Sequence, residues 1–549
     1  MLSNPQMLEI AQAGIAEAVR RGALYADIRI ENVDAEDLTV QNGKVRLTHR
    51  TREQGLGIRV LANGAWGFSA ISEPNLHDVT VAARRAVELA KAAAIVQLAP
   101  VSLVHESPHC GIFRTRIDRN PLAVDLDEKL AFLLDVQDQI STTSSTTLRF
   151  QAKQRRKLFL NSEGSEISQD LTHIDLQLGL RTSSRFAMMP LPTRSGKGIG
   201  LSASGWDALD KQKIVAYAIE KAASVEESEK AEQLAVENTE ILLDAEATAA
   251  LIAGTCGPAL ELDGVLGVER SRDGQAFLTP EKLGSYAYAS DHVNLHSDST
   301  LEGAAGSFGF DDEGVEAQRV DLVENGRFAG YVCSRETARR MGLNRSTGGM
   351  RAASWRHLPI IRAANLVLGS GDAGSLENMI ADTKDGVLLE GPCLMSNDRG
   401  RDNFELVALG GWKIESGKKV RRVRAPILRG DTSTFWQRCN AIGSQDNWRI
   451  YGHYANDKGR PQQSLEQAIG TGPTRFGSAS VVTMSPNLAL VEATDDSIFL
   501  KRAAVSDESE ALEIPLGQAS EQAHDTDIPT EEGELATLKP DQKNNEAPE

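Results

Sequence analysis

The residues of this 549-residue chain whose types and spacing could do metal or acid–base chemistry lie in several separate places. A catalytic zinc takes about three protein ligands, keeps a fourth position for water and needs a base to use that water. Cys256, within residues 251–263, reads either as a ligand or as a small buried hydrophobe. His292 and His296 are four apart, which would stack two ligands on one helix face. The intervening Val293, Asn294 and Leu295 read as strand, and at ~3.3 Å per residue the pair would stand about 13 Å apart, too far to share an ion. His453 is a lone candidate ligand, and His105, His109 and Cys110 flank Pro108 in what reads as a surface segment. Asp311, Asp312 and Glu313 form a carboxylate cluster that could hold metal or move protons, or could open a hairpin turn. His357, beside Arg356, is either a polar contact for a ligand or a hydrogen-bonded structural histidine.

Composition narrows the choices. No apolar run approaches the ~20 residues that cross a membrane, and the N-terminal 21 residues lack the apolar core of a signal peptide. The five cysteines are odd in number and widely spaced, as expected of free thiols in a reducing cytoplasm. Net charge is −18, of which −11 falls in residues 503–549 (13 acids against two lysines). An acidic protein repels phosphate backbones, so nucleic acid is not an expected ligand. The basic run Lys418, Lys419, Arg421, Arg422 and Arg424 reads as a solvated edge strand, or as a dock for the acidic tail.

The elements that must position these residues fall into three regions. Residues 1–235 are mixed: a helix after Asn4-Pro5, short alternating strands turning at Asn42-Gly43 and Asn63-Gly64, and helices from Asn75, over 125–139 and over 207–228. Residues 236–502 open with a helix from Asp244 to about Leu262 and then read mostly as strands with turns at Asn325-Gly326 and Ser416-Gly417. Residues 503–549 have no aromatic residue and are expected to be a disordered acidic tail. The fold class is α+β, with a mixed N-terminal domain bearing antiparallel hairpins and a mainly antiparallel C-terminal domain built as a curved sheet or open barrel.

Three blocks of sequence resemble the TldD/PmbA family, called modulators of DNA gyrase in older usage. They are residues 41–45 with 55–68, residues 306–326 (including Gly306, Asp311, Asp312, Glu313 and Gly314), and residues 354–386 (including Trp355, Arg356, His357, Arg362 and Asn365). The likeness spans about residues 8–490 and is closer to the TldD branch. It implies a two-domain protein that pairs with a TldD/PmbA-type partner subunit, or with itself, around an enclosed cavity. It also implies a zinc peptidase that takes extended peptide or unfolded segments by strand addition. It places His357, Arg356 and Asn365 along the cavity as substrate-binding residues.

The resemblance also lays the family's His-Glu-x-x-x-His motif on Ala253, Gly254 and Pro258, with Gly257, Ala259, Leu260, Glu261 and Asp263 matching its flanks. A spacing of five turns the second ligand roughly 140° from the first, so the helix should end or deform near it. Pro258 inside a helix would cost about 3 kcal/mol unless the helix stops there. The family's third ligand, a Cys, falls near Asn456, Asp457 and Lys458. No metal ligand or catalytic residue is therefore assigned, and zinc enters only under an alternative with ligands drawn from Cys256, His453, His357 and nearby carboxylates. The expected function is a catalytically silent subunit that binds peptide or completes a partner's cavity. The alternatives are an active metallopeptidase with non-standard ligands and a protein-binding regulator, for example of gyrase.

Overall fold

The Asn-Gly pairs at 42–43 and 63–64 take positive φ (48° and 71°, 52° and 79°), as two-residue hairpin turns demand. The strands they join are longer than expected: Tyr25–Gln41 and Lys44–Ala62 have 17 and 19 residues, and Ala65–Ser72 follows. Charged residues hide this length in the sequence. Cross-strand partners such as Arg52 and Asp34, whose Nε–Oδ1 distance is 2.6 Å, sustain the ladder well beyond its apolar part. A computed structural model describes residues 5–140, 142, 144–182, 186–194, 197–269, 277–397, 403–483, 488–491 and 499–502. The expectation for the acidic tail lies outside these residues.

The first sheet has seven strands, in the order Ala65–Ser72, Lys44–Ala62, Tyr25–Gln41, Ser145–Asn161, Glu166–Arg181 and Cys110–Arg114, with Phe186–Pro190 also on Glu166–Arg181. Its two faces differ. Ile28, Ile30, Leu56, Ile58, Val60 and Leu160 pack under helices Pro5–Arg20 and Leu76–Ala93. The opposite face carries Asp27, Arg29, Glu31, Arg59, Arg155, Lys157, Gln169 and His173, all buried. Burying such groups is costly without partners, and most find them in the loops from the second half of the chain.

The C-terminal expectation of a curved sheet or open barrel is met by a barrel, and it is closed. Strands Val236–Leu243, Asp385–Asn397, Asn403–Glu415, Pro426–Asp431 and Thr474–Thr483 pair in that order, and the last returns to the first. An eight-stranded sheet stands beside it, running from Arg327–Phe328 through Asn365–Leu368, Gln463–Thr471 and Arg449–Lys458 to Gly198–Gly200 and Pro192–Arg194. Helix Ala245–Thr255 contacts strands of both. Alanine, leucine and isoleucine lie all round it, the pattern of a helix covered on every side. Among the named strands of the described residues, Lys418–Arg424 pairs with Asn403–Glu415 alone, and a single parallel bridge from Glu232 to Val423 meets its other edge. Three of its charges are already met within the fold: Lys419 and Arg422 by Glu390, and Arg421 by Glu232. Among the described residues, no helix is long and apolar enough to cross a membrane.

Candidate functional site

The helix that carries the motif positions starts at Asp244, whose carboxylate accepts the Ala247 N–H at 2.7 Å, and runs to Thr255 rather than Leu262. Cys256 and Gly257 follow, and Pro258 begins a short 3₁₀ turn, Pro258–Leu260. The helix thus stops before the proline, at whose N-terminal position in the new turn no backbone donor is needed. The cost foreseen for a mid-helix proline does not arise.

Neither Ala253 nor Gly254 offers a ligand or a base, and the space in front of Gly254 is taken. A Cβ built on Gly254 would overlap Met395 Cγ and stand 2.6 Å from its Cε. Met395, Cys393, Tyr451 and Ala253 are part-buried apolar neighbours of the C-terminal core. Cys256 is 1% exposed and packs into that core, and burial pushes its thiol up to about 11. That describes a buried hydrophobe, not a ready thiolate. His453 pairs in register with Gln467 and is held at about 4, chiefly by burial. Among the described residues, no three His, Cys, Asp or Glu side chains converge as a metal-binding group. The residues at the motif positions do not fit a zinc ion.

Of the stretch matched to the family's third ligand, the side chains of Asn456 and Asp457 lie outside the description, whereas Lys458 is buried and engaged. Its Nζ donates to Glu261 Oε2 (2.8 Å), Asp263 Oδ1 (2.6 Å) and the Ile361 carbonyl (2.7 Å). The ammonium ties the segment following the motif helix to the far strand of the site. Sequence reasoning named this lysine only within the stretch near the third ligand and missed its partners, because nothing in its spacing links it to residues nearly 200 positions earlier.

His357 and Arg356 line a cavity of about 340 Å³, together with Trp66, Phe68, Met350, Arg460 and Gln463. His357 Nδ1 is 2.9 Å from Ser354 Oγ, and its carbonyl accepts a bond from Arg29 Nη2 at 2.6 Å. Burial, then the Arg29 guanidinium, hold the imidazole below its usual pKa, so it is neutral near pH 7. Arg356 is exposed, lies 4.7 Å over the Trp355 ring and meets Glu53 at 3.3 Å. Asn365 is placed elsewhere. It is fully buried, donates to the Asp298 carbonyl and Ser307 Oγ, and accepts the Gly306 N–H.

The carboxylate cluster is structural. Asp311 accepts the N–H groups of Glu313, Val315 and Met350, and burial raises its pKa well above the usual range. Asp312 pairs with Lys157 and accepts the Ala352 N–H, while Glu313 meets Arg59 and the Arg335 N–H. An antiparallel bridge between Phe310 and Glu316 closes the turn. His296 lies on strand Leu295–Asp298 while His292 sits in the turn before it, half exposed. His109 bonds Glu106 at 3.1 Å and packs on Phe310, and Cys110 is exposed.

This arrangement of a polar-faced sheet, barrel and matched blocks is that of a known class. Residues 26–94, 119–225 and 236–484 match the models for PmbA/TldA metallopeptidase domain 1, central domain and C-terminal domain. The chain belongs to the PmbA/TldD metallopeptidase family. It is 27% identical to a metalloprotease of Methanocaldococcus jannaschii over 74% of this chain and 87% of that one. It is 29% identical to a metalloprotease of Methanothermobacter thermautotrophicus over 76% and 88%. Its fold matches the crystal structure of TldE from Thermococcus kodakarensis with TM-score 0.64 and 18% identity, covering 86% of this chain and 99% of that one.

Proposed function

We propose that this chain is a metal-free TldD/PmbA-type subunit that binds extended peptide without cutting it, either alone or while completing a cavity with a family partner or a second copy. The observation that carries the reading is Met395 standing in the space that a side chain at 254 would need. The motif positions offer no donor at 253, 254 and 258, and the place of a side chain at 254 is taken by a thioether. The cavity beside His357 and Arg356 supports peptide binding, since it joins apolar walls to a few directed polar groups. On this reading residues 1–235 and 236–502 act as two domains, and the protein works in the cytoplasm.

The test is zinc content by elemental mass spectrometry on full-length protein purified alone without chelator, followed by incubation with a labelled unstructured peptide. The expected result is far less than one zinc per chain, with peptide bound and recovered intact. One tightly held zinc per chain, or chelator-sensitive cleavage, would overturn the reading.

A further inference from the structure

Ser354 Oγ has two neighbours on its own turn. It accepts the Arg356 N–H at 3.3 Å and lies 2.9 Å from His357 Nδ1. A hydroxyl has one hydrogen to give. If Nδ1 carried the imidazole proton, the Ser354 hydrogen would have no acceptor in this group. If Nδ1 is the acceptor, the hydroxyl is satisfied as both donor and acceptor, and the imidazole proton sits on Nε2. His357 lines the cavity and Ser354 does not, the disposition expected of a ring whose Nδ1 edge is held by its own turn and whose Nε2 edge is presented to the open volume. The bond from Arg29 to the His357 carbonyl anchors the same turn to the N-terminal sheet.

We infer that Ser354 is a positioning residue that fixes His357 as an Nε2–H donor aimed into the cavity, and that the cavity therefore selects ligands presenting an acceptor oxygen. This deepens the peptide-binding reading and rests on it. Every peptide supplies such an oxygen at its backbone carbonyls and its C-terminal carboxylate, and some supply it from side chains as well. The neutral imidazole favoured by burial and by Arg29 keeps this donor role through the neutral range.

The experiment has two arms. In the first, ¹⁵N-histidine NMR on the full chain reads the His357 tautomer without any ligand, with the resonance assigned by loss in His357→Gln. Wild type should show the Nε2–H form, Ser354→Ala should mix the two tautomers, and Ser354→Thr should restore the wild-type pattern. An Nδ1–H tautomer in wild type, or no change in Ser354→Ala, would overturn the inference. In the second, fluorescence anisotropy measures a dye-labelled unstructured peptide with either a free or an amidated C-terminus. Ser354→Ala should weaken binding about fivefold to tenfold, the scale of one misdirected hydrogen bond, with Ser354→Thr close to wild type. Loss on amidation identifies the C-terminal carboxylate as the acceptor, and equal affinity identifies an oxygen elsewhere in the peptide, on its backbone or a side chain. Wild type failing to bind either peptide while showing the Nε2–H form would defeat the peptide reading and the ligand class, leaving Ser354's positioning of the ring established.

Discussion

Met395 and Gly254 share one space: a Cβ on Gly254 would overlap Met395 Cγ and lie 2.6 Å from Cε. Filling that space with methionine is easy, because the side chain is unbranched and adapts to irregular gaps. Restoring a family-like residue at 254 is therefore not a matter of one position, since the volume in front of the helix has been reassigned.

This relationship predicts a reversal of sign. Glycine inside a helix costs about 1 kcal/mol relative to alanine, so Gly254→Ala would ordinarily stabilise. Here overpacking against Met395 costs about 1–3 kcal/mol and outweighs the gain. In the Met395→Ala background the clash is gone, and Gly254→Ala should become stabilising. Urea unfolding of the wild type, both single variants and the double variant closes the cycle. Additivity of the two substitutions within about 0.3 kcal/mol would show that Met395 does not occupy this space.

Lys458 predicts a large loss. All three ammonium hydrogens are used, on Glu261, Asp263 and the Ile361 carbonyl, and Arg362 lies 3.6 Å from Glu261. Lys458→Met keeps much of the volume but leaves two buried carboxylates facing each other with one cation fewer. Breaking a buried pair in this way costs about 3–5 kcal/mol. The unfolding midpoint should fall sharply, and adding Asp263→Asn should recover part of the loss by removing one stranded charge. Equal midpoints for wild type and Lys458→Met would refute the structural role.

What the sequence revealed and what it concealed divide by range. The hairpin turns at Asn42-Gly43, Asn63-Gly64, Asn325-Gly326 and Ser416-Gly417 were legible because positive φ at both central residues is a local demand, and all four take it. The end of the motif helix was legible in part: Pro258 announced a break, but only packing put it at Thr255. Closure of the barrel was not legible, because the pairing of Val236–Leu243 with Thr474–Thr483 joins segments more than 200 residues apart. Of the candidate site residues, His357 and Arg356 share a cavity, while Asn365 spends its amide on Asp298, Ser307 and Gly306. A side chain's neighbours decide whether its polarity is spent inside the fold or offered to a ligand, and spacing along the chain does not report them.

Acid should weaken the buried polar face in a defined window. His173 is 4% exposed, lies 2.9 Å from the Ala305 carbonyl through Nε2, and is held at about 4 chiefly by burial. The unfolded chain takes up a proton near pH 6.5 and the folded chain only near 4. Between those values the unfolded state binds more protons, so stability falls as pH drops. The shift corresponds to about 3 kcal/mol lost between roughly pH 6.5 and 4. Burial raises the Asp312 carboxyl, but Lys157 and Arg29 outweigh it and hold it at about 2, so its contribution is lost only below roughly pH 4. Urea unfolding from pH 7 to 4 should show this slope in wild type and a flatter one in His173→Gln. Parallel profiles for the two would assign the acid sensitivity to other groups.

Gly55 and Gly57 make the last prediction, because they let the loop carrying His357 dock on the N-terminal sheet. A Cβ at Gly55 would overlap the Trp355 ring at Cε2 and Cδ2 and stand 2.6 Å from Cε3, and one at Gly57 would overlap the Trp355 carbonyl oxygen. Neither glycine has positive φ, so their requirement is closeness, not backbone freedom. The two positions differ in what can give way. The Trp355 ring is buried but is a side chain that can shift on its own χ angles, so Gly55→Ala should cost about 1–3 kcal/mol, the usual range for overpacking. A backbone oxygen cannot move without its peptide, so Gly57→Ala should lift residues 354–358 from the sheet and lengthen the Arg29 bond to the His357 carbonyl. The measurement is limited trypsin digestion followed by mass spectrometry. Gly57→Ala should open cleavage after Arg356 at enzyme levels that leave wild type intact, with peptide affinity falling in step, while Gly55→Ala changes both less. Unaltered cleavage after Arg356 in Gly57→Ala would mean that the loop is held by its own half of the chain. The contact between the two sequence blocks would then be incidental to the cavity.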